Sequence, residues 1–358
     1  MILNLVIYLN LLLSCAFPVT AVKTSPGFRK PGEEKHKKEI KIFESDRLLK
    51  VTLKLDLKAY LKKEFKEALD ATLIIYNGEN DSTSMDVKVN NRGTYRSSSC
   101  NYPPLEITFR KPVQAYTGFG KIHKMKLYTS CETGEIYNEY VLREFLVYKF
   151  FNVLSDSSYR VRLLKLSMED SNGKRKSLNQ YGFFLEPKEI LAERLDARIM
   201  ESIKPVQSQI VPESLDRLGI FNYMVSNYDW SVQSQHNVTV LLPLRSNPSG
   251  FYIVVPHDFD GTGVVNALYS SAGSGSGMKS IRERTFLGYC RTDNEFRTRL
   301  RYILAKKKEI YSVINDFQYI NLSSKKDITD FLDQFFNQVA RQSGLENLIR
   351  NFQEKCLK

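Results

Sequence analysis

At 358 residues, with 42% hydrophobic and 12% aromatic residues, the chain holds enough apolar material for one large or two modest cores, which argues against disorder. Its formal charge of +12 fits a solvated, soluble surface first, and attraction to acidic partners such as nucleotides, acidic glycans or anionic membrane surfaces second. No basic repeat interleaved with aromatics and no nucleic-acid module is present, so DNA or RNA binding is not expected.

Residues 1–21 carry no Asp, Glu, Lys or Arg, run apolar from Ile2 to Phe17, and end on Val19-Thr20-Ala21, a small-residue pattern that a signal peptidase accepts. The apolar stretch is about 16 residues, short of the roughly 20 that cross a bilayer, so cleavage near Val22 is expected over an uncleaved anchor. Leu12-Leu13-Ser14-Cys15 also has the form of a lipobox, with lipidation at Cys15 as a further option. Residues 22–40 read as a basic polar linker, with Pro26-Gly27, Pro31-Gly32 and Lys35-His36-Lys37-Lys38.

From residue 41 to 188 the pattern is mostly of period two. Leu48 to Leu57, Ala71 to Tyr76, Met85 to Val89, Leu105 to Phe109 and Lys124 to Tyr128 alternate apolar and polar residues as half-buried strands do. Glu135 to Val153 shifts to helical spacing, and Arg160 to Met168 and Gln180 to Glu186 return to strand, joined through Ser171-Asn172-Gly173-Lys174. Residues 189–358 turn helical: Ile190 to Ile203, Pro212 to Ser226, Glu295 to Phe317 and Ile328 to Phe352, with strands at Val238 to Leu242 and Phe251 to Val255. The implied fold class is α+β, a two-lobed layout with an antiparallel-sheet-rich amino lobe and a helix-rich carboxyl lobe. Once Cys15 leaves with the leader, Cys100, Cys131, Cys290 and Cys356 form an even set, which suggests disulfides in an exported chain. Cys100 with Cys131 is the preferred pair, because they flank two strand-like runs whose pairing brings them together.

The chemistry concentrates in Asn227-Tyr228-Asp229-Trp230, His236-Asn237 and His257-Asp258-Phe259-Asp260-Gly261. Hard oxygen donors on two short segments separated by strands suit a divalent metal and phosphate groups. The order Asp, Asn, then Asp before Phe matches the parts of a kinase centre. Arg92-Gly93 fits a phosphate-facing turn, since glycine allows close backbone approach and guanidinium binds phosphate in a fork; Arg96 offers a second fork. A plain strand turn with its arginine in solvent explains the same residues.

With Asn91-Arg92-Gly93-Thr94-Tyr95-Arg96, Pro104-Leu105-Glu106-Ile107-Thr108-Phe109 and Tyr181-Gly182-Phe183-Phe184-Leu185-Glu186 added, the motifs span about residues 85 to 265, and the chain resembles the CotH family of atypical secreted protein kinases (spore coat protein H type). The resemblance implies phosphoryl transfer from ATP to Ser or Thr hydroxyls of a protein, with Mg2+ or Mn2+. Asp229 would orient or deprotonate the acceptor; Asn237 and Asp258, with Asp260 assisting or replacing Asp258, would hold metal. The family's lysine-bearing strand is here Leu105-Glu106-Ile107, so Lys126 becomes the candidate nucleotide lysine and Glu144 its helix partner, with Glu186 at the border of an adenine pocket.

Rival readings are a member that has lost transfer and serves as an exported binding, adhesion or structural coat protein, and a metal hydrolase using His236, His257, Asp258 and Asp260. Zinc asks for two or three N or S ligands, and adjacent His257 and Asp258 would face opposite ways on a strand. Gly273-Ser274-Gly275-Ser276-Gly277 lacks the strand-to-helix setting of a nucleophile elbow and reads as part of a mobile flap, Ser270 to Met278. Asn80, Asn237 and Asn321 open glycosylation sequons, and Asn237 cannot serve both a glycan and a metal.

Overall fold

The computed structural model describes residues 41–62, 67–76, 78, 81–93, 96, 100–110, 122–245, 249–270 and 279–358. The leader, linker and flap expectations at 1–40 and 271–278, the motif residues Thr94 and Tyr95, and the sequon at Asn80 lie outside them.

Strands β1 (Leu49–Leu55), β2 (Leu69–Tyr76), β3 (Ser82–Asn91), β4 (Leu105–Phe109), β5 (Lys124–Thr129), β6 (Val161–Asp170) and β7 (Leu178–Leu185) close into a barrel in the order β1-β2-β3-β4-β5-β7-β6. Alternation does the sorting. Val51, Leu53, Leu55, Leu73, Val87, Val89, Ile107, Met125, Leu127, Leu164, Leu166 and Phe184 point inward and form one core. Neighbours pair antiparallel except at the closure, where β1 runs parallel to β6 with Leu49 opposite Leu164 and Leu55 opposite Asp170.

That closure corrects the expected fold class. The protein is a closed mixed seven-stranded barrel dressed with helices, not a two-lobed kinase-like fold with an antiparallel-sheet lobe beside a helical lobe. Period two shows which residues face inward but not which edges meet, and pairing β1 with β6 removes both open edges. The helical half keeps a small cluster of its own around Leu218, Val240 and Val254, but its main core is shared with the barrel. Tyr128, Leu163, Phe183 and Leu185 on the barrel's outer face share one apolar cluster with helix α1 (Glu135–Leu154) and with Phe335, Phe336 and Phe352.

Besides a single turn at Leu57–Tyr60, the described residues form the further helices α2 (Lys188–Arg194), α3 (Pro212–Val225), α4 (Asp293–Ala305), α5 (Lys307–Asp316), α6 (Leu322–Ala340) and α7 (Gln342–Lys355). Three long helical expectations divide. The run at 190–203 stops at α2, where Asp196 takes a left-handed φ of 48° and the chain enters β8 (Ala197–Ile199). The run at 295–317 breaks at Lys306, and 328–352 breaks at Arg341, whose φ of −93° and ψ of 133° are extended. A second sheet orders β10 (Ile253–Pro256), β9 (Val238–Pro243) and β8 antiparallel, and carries the site loops at its strand ends.

Gly182 shows how tightly β7 sits on β5. A Cβ there would lie 2.8 Å from the Tyr128 carbonyl oxygen, a backbone atom that cannot swing aside. Gly182→Ala is expected to cost about 1–3 kcal/mol through overpacking, read as a lower urea midpoint with unchanged slope.

Disulfides join Cys100 to Cys131, the expected pair, and Cys290 to Cys356. They fit an oxidising, extracellular-type environment. No helix of the described residues is long and apolar enough to cross a membrane.

Candidate functional site

Two loops meet at the ends of β9 and β10. The first, 226–237, leaves α3 through Ser226, whose left-handed φ of 53° turns the chain and whose Oγ donates to the Ile281 carbonyl at 2.8 Å. Ser231 and His236 then exchange backbone hydrogen bonds, N to O at 3.0 and 2.9 Å, which closes the loop on itself. Asn237, at φ 53°, ends it and feeds β9; its carbonyl accepts the His257 amide at 2.9 Å. Asp258 opens the second loop, also left-handed at φ 65°. Such conformations are costly for residues other than glycine and gather at functional sites, and Asn and Asp tolerate them best.

The carboxylate of Asp229 is exposed and held on both oxygens. Oδ1 accepts from His236 Nε2 at 2.7 Å; Oδ2 accepts from Asn237 Nδ2 at 3.0 Å, which also donates to the Asp229 carbonyl at 2.8 Å. Because the amide nitrogen of Asn237 is spent on Asp229, its Oδ1 is the atom left for a cation. The same bond occupies the nitrogen a glycan would need. At Asn321 the side chain caps α6, accepting from the Ser324 amide at 2.8 Å and donating to Glu139 at 3.2 Å, so that sequon nitrogen is engaged as well.

Behind the second loop lies a buried charge cluster. The Arg96 guanidinium stands 3.8 Å from both Glu144 and Asp260 and donates from Nη2 to the Thr129 carbonyl at 2.6 Å. Glu144 Oε1 is buried without a hydrogen-bond partner. Burial first, and the Asp260 charge second, raise the Glu144 carboxyl well above its ordinary range against the pull of Arg96. Burial and then the Asp258 charge push Asp260 up to about 6. The charge of Asp258 also acts on Arg92, Arg96 and Lys126, which places it at the centre of the group.

The amino-half candidates are distributed unevenly. Arg92 lays its guanidinium 4.0 Å over the Tyr128 ring, and Gly93 beside it adopts φ 76°. Glu144 is paired with Arg96 rather than with Lys126. Lys124, on the same strand face, is taken by Glu106 at 2.8 Å, whereas Lys126 makes no ion pair among the described residues and is lowered from its usual value by burial, then by Arg92. Glu186 is buried and clamped by Arg194 at 3.0 and 2.9 Å, with the Arg160 amide on its second oxygen at 3.0 Å, so its carboxylate ties β7 to α2.

Lys126 and His257 line a cavity of about 450 Å3 between the barrel wall and the small sheet, with Leu185, Ile199, Met200 and Val240 among its apolar walls. The neutral imidazole of His257, held down to about 3 by burial and Lys126, packs edge-on to Tyr159 at 5.6 Å. A half-apolar slot that carries Lys126 and, in His257, the chain neighbour of Asp258 suits a base joined to phosphates.

Among the described residues no three His, Cys, Asp or Glu side chains converge as a dedicated metal cage. This weakens the zinc-hydrolase alternative, and His236 is in any case bonded to Asp229. Mg2+ or Mn2+ fits the donors present: such ions take one or two protein carboxylates and complete their shell with phosphate oxygens and water. Asp258, Asp260 and the remaining side-chain oxygen of Asn237 offer that set.

Sequence reasoning missed Tyr148, whose Oη accepts the Asp258 amide at 2.8 Å, and gave Arg96 a phosphate rather than a pairing role. In sequence Tyr148 is one more aromatic on the apolar face of α1. No known family model matches the chain, and no curated protein matches it significantly.

Proposed function

We propose that the protein transfers a phosphoryl group from ATP, with Mg2+ or Mn2+, to a Ser or Thr hydroxyl of a protein outside the cytosol. The observation that carries this reading is the double hold on Asp229 by His236 and Asn237, on a loop whose Asn237 carbonyl meets the His257 amide next to Asp258, with His257 and Lys126 lining the neighbouring cavity. Asp229, with both oxygens oriented, positions the acceptor hydroxyl and takes its proton. Asn237 Oδ1, Asp258 and Asp260 hold the cation, which when bound neutralises the phosphate oxygens. Lys126 and Arg92 supply positive charge to the phosphates, and the apolar cavity takes the base. The two disulfides support a site of action in an oxidising compartment, and the apolar run from Ile2 to Phe17 supports delivery by a cleaved leader, with lipidation at Cys15 as the other route.

One observation favours the second reading, an exported binding protein without transfer: the helix glutamate, Glu144, is bound to Arg96 and so does not orient Lys126. The deciding experiment combines ATP binding with autophosphorylation, each measured with and without Mn2+. Mn2+-dependent binding and labelling support transfer; binding without labelling supports the binding protein. No Mn2+-dependent binding overturns transfer and nucleotide binding alike, and leaves an adhesion or structural role.

A further inference from the structure

Asp258 is a left-handed residue whose amide points into the protein, and both features need an explanation. Its N–H donates to Tyr148 Oη at 2.8 Å, and the preceding amide, of His257, donates to the Asn237 carbonyl at 2.9 Å. Two successive amides are thus tied to different elements, one to the loop that carries Asp229 and one to α1. Tyr148 is itself fixed. It is 1% exposed, meets Phe259 edge-on at 4.7 Å and Phe183 at 5.6 Å, and lies 3.5 Å by its hydroxyl from that of Tyr128, whose ring carries the Arg92 guanidinium. Turning the peptide between residues 257 and 258 would carry that amide away from the hydroxyl and swing the Asp258 side chain to another direction.

We propose that Tyr148 is a positioning residue for this centre: its buried hydroxyl locks Asp258 in the left-handed conformation and so aims the metal-binding carboxylate. The proposal rests on the phosphoryl-transfer reading for the role of that carboxylate, but not for the hydrogen bond. Residues that orient metal ligands from behind commonly govern affinity nearly as strongly as the ligands do. Tyr148 also links the metal turn to Arg92 through Tyr128, so the two halves of the site share one aromatic support.

Tyr148→Phe removes a single oxygen and keeps the ring packing. In the full-length protein, the Mn2+ concentration that half-saturates ATP binding should rise about 10-fold or more, while the far-ultraviolet spectrum is unchanged. A general loss of packing would lower the melting temperature without moving that midpoint, so an unchanged midpoint in a folded variant overturns the proposal. If the variant does not fold, amide hydrogen exchange of the wild-type protein decides: the Asp258 amide should be as protected as the core of α1, and exchange at the rate of an open loop overturns the proposal. Absence of Mn2+-dependent ATP binding in the wild type would sink the phosphoryl-transfer reading and the metal-aiming role together, whereas a protected Asp258 amide would still uphold the hold of Tyr148 on the turn.

Discussion

On the phosphoryl-transfer reading, Asp229→Asn is expected to lower autophosphorylation by about 100- to 10,000-fold, the range for loss of a positioned proton acceptor, and to leave Mn2+-dependent ATP binding in place. The separation follows from the geometry. Asp229 is exposed, so its replacement moves stability by no more than roughly 0.5 kcal/mol. The new amide oxygen can still accept from Asn237, and its nitrogen can face His236, whose ring switches tautomer to receive it. Position survives while basicity is lost. Asp258→Ala should behave differently, removing the Mn2+ dependence of ATP binding along with transfer. Single-turnover labelling and Mn2+ titration of both variants distinguish the two roles, and equal loss of binding in both would contradict the assignment.

Arg96→Ala is expected to cost about 3–5 kcal/mol, because it leaves the buried Glu144 and Asp260 carboxylates without their cation. The cost has a definite pH signature. Glu144 binds its proton more tightly in the folded protein than its ordinary value of 4.5, so its effect is most favourable below that value, and stability is lost as pH rises through the folded-state value. Removing Arg96 raises that folded-state value further. The deficit in Arg96→Ala should therefore be larger near pH 8 than near pH 5, and Arg96→Ala/Glu144→Gln should recover part of it, as measured by urea unfolding at both pH values. A deficit independent of pH would mean that packing of the guanidinium, not its charge, holds the cluster together.

How much of this was legible from the sequence depended on the distance over which each signal acts. β4 has the expected bounds, Leu105–Phe109, and α1 extends one residue past the expected end, because alternation and helical spacing are local. The Cys100–Cys131 pair was legible from the strands it flanks. Barrel closure was not, since nothing in β1 marks β6 as its partner. Helix breaks at Lys306 and Arg341 fall inside continuous apolar periodicity; nothing announces the first, and only Gly344, three residues on, hints at the second. In the site, Asp229 and Asn237 share a loop, as their closeness in sequence suggested, but the bond between them was not foreseen. The pairing of Arg96 with Glu144, and the support of Asp258 by Tyr148, join residues far apart in the chain, and their side-chain types are equally at home on a surface or in a core.

The parallel closure also sets the order in which the molecule can mature. β1 leaves its edge unpaired until β6 has been made, and the Leu57 amide finds its acceptor on Asp170, 113 residues away. Contacts of such long span make folding slow, since loop closure precedes their reward. Until β6 has been made the first strands therefore wait as an open sheet, exposed to wrong pairing, and the charged outward residues Lys50 and Lys54 on β1 are placed to discourage it. The yield of folded protein is therefore expected to depend on that edge of β1 staying unpaired until residue 170 has been made.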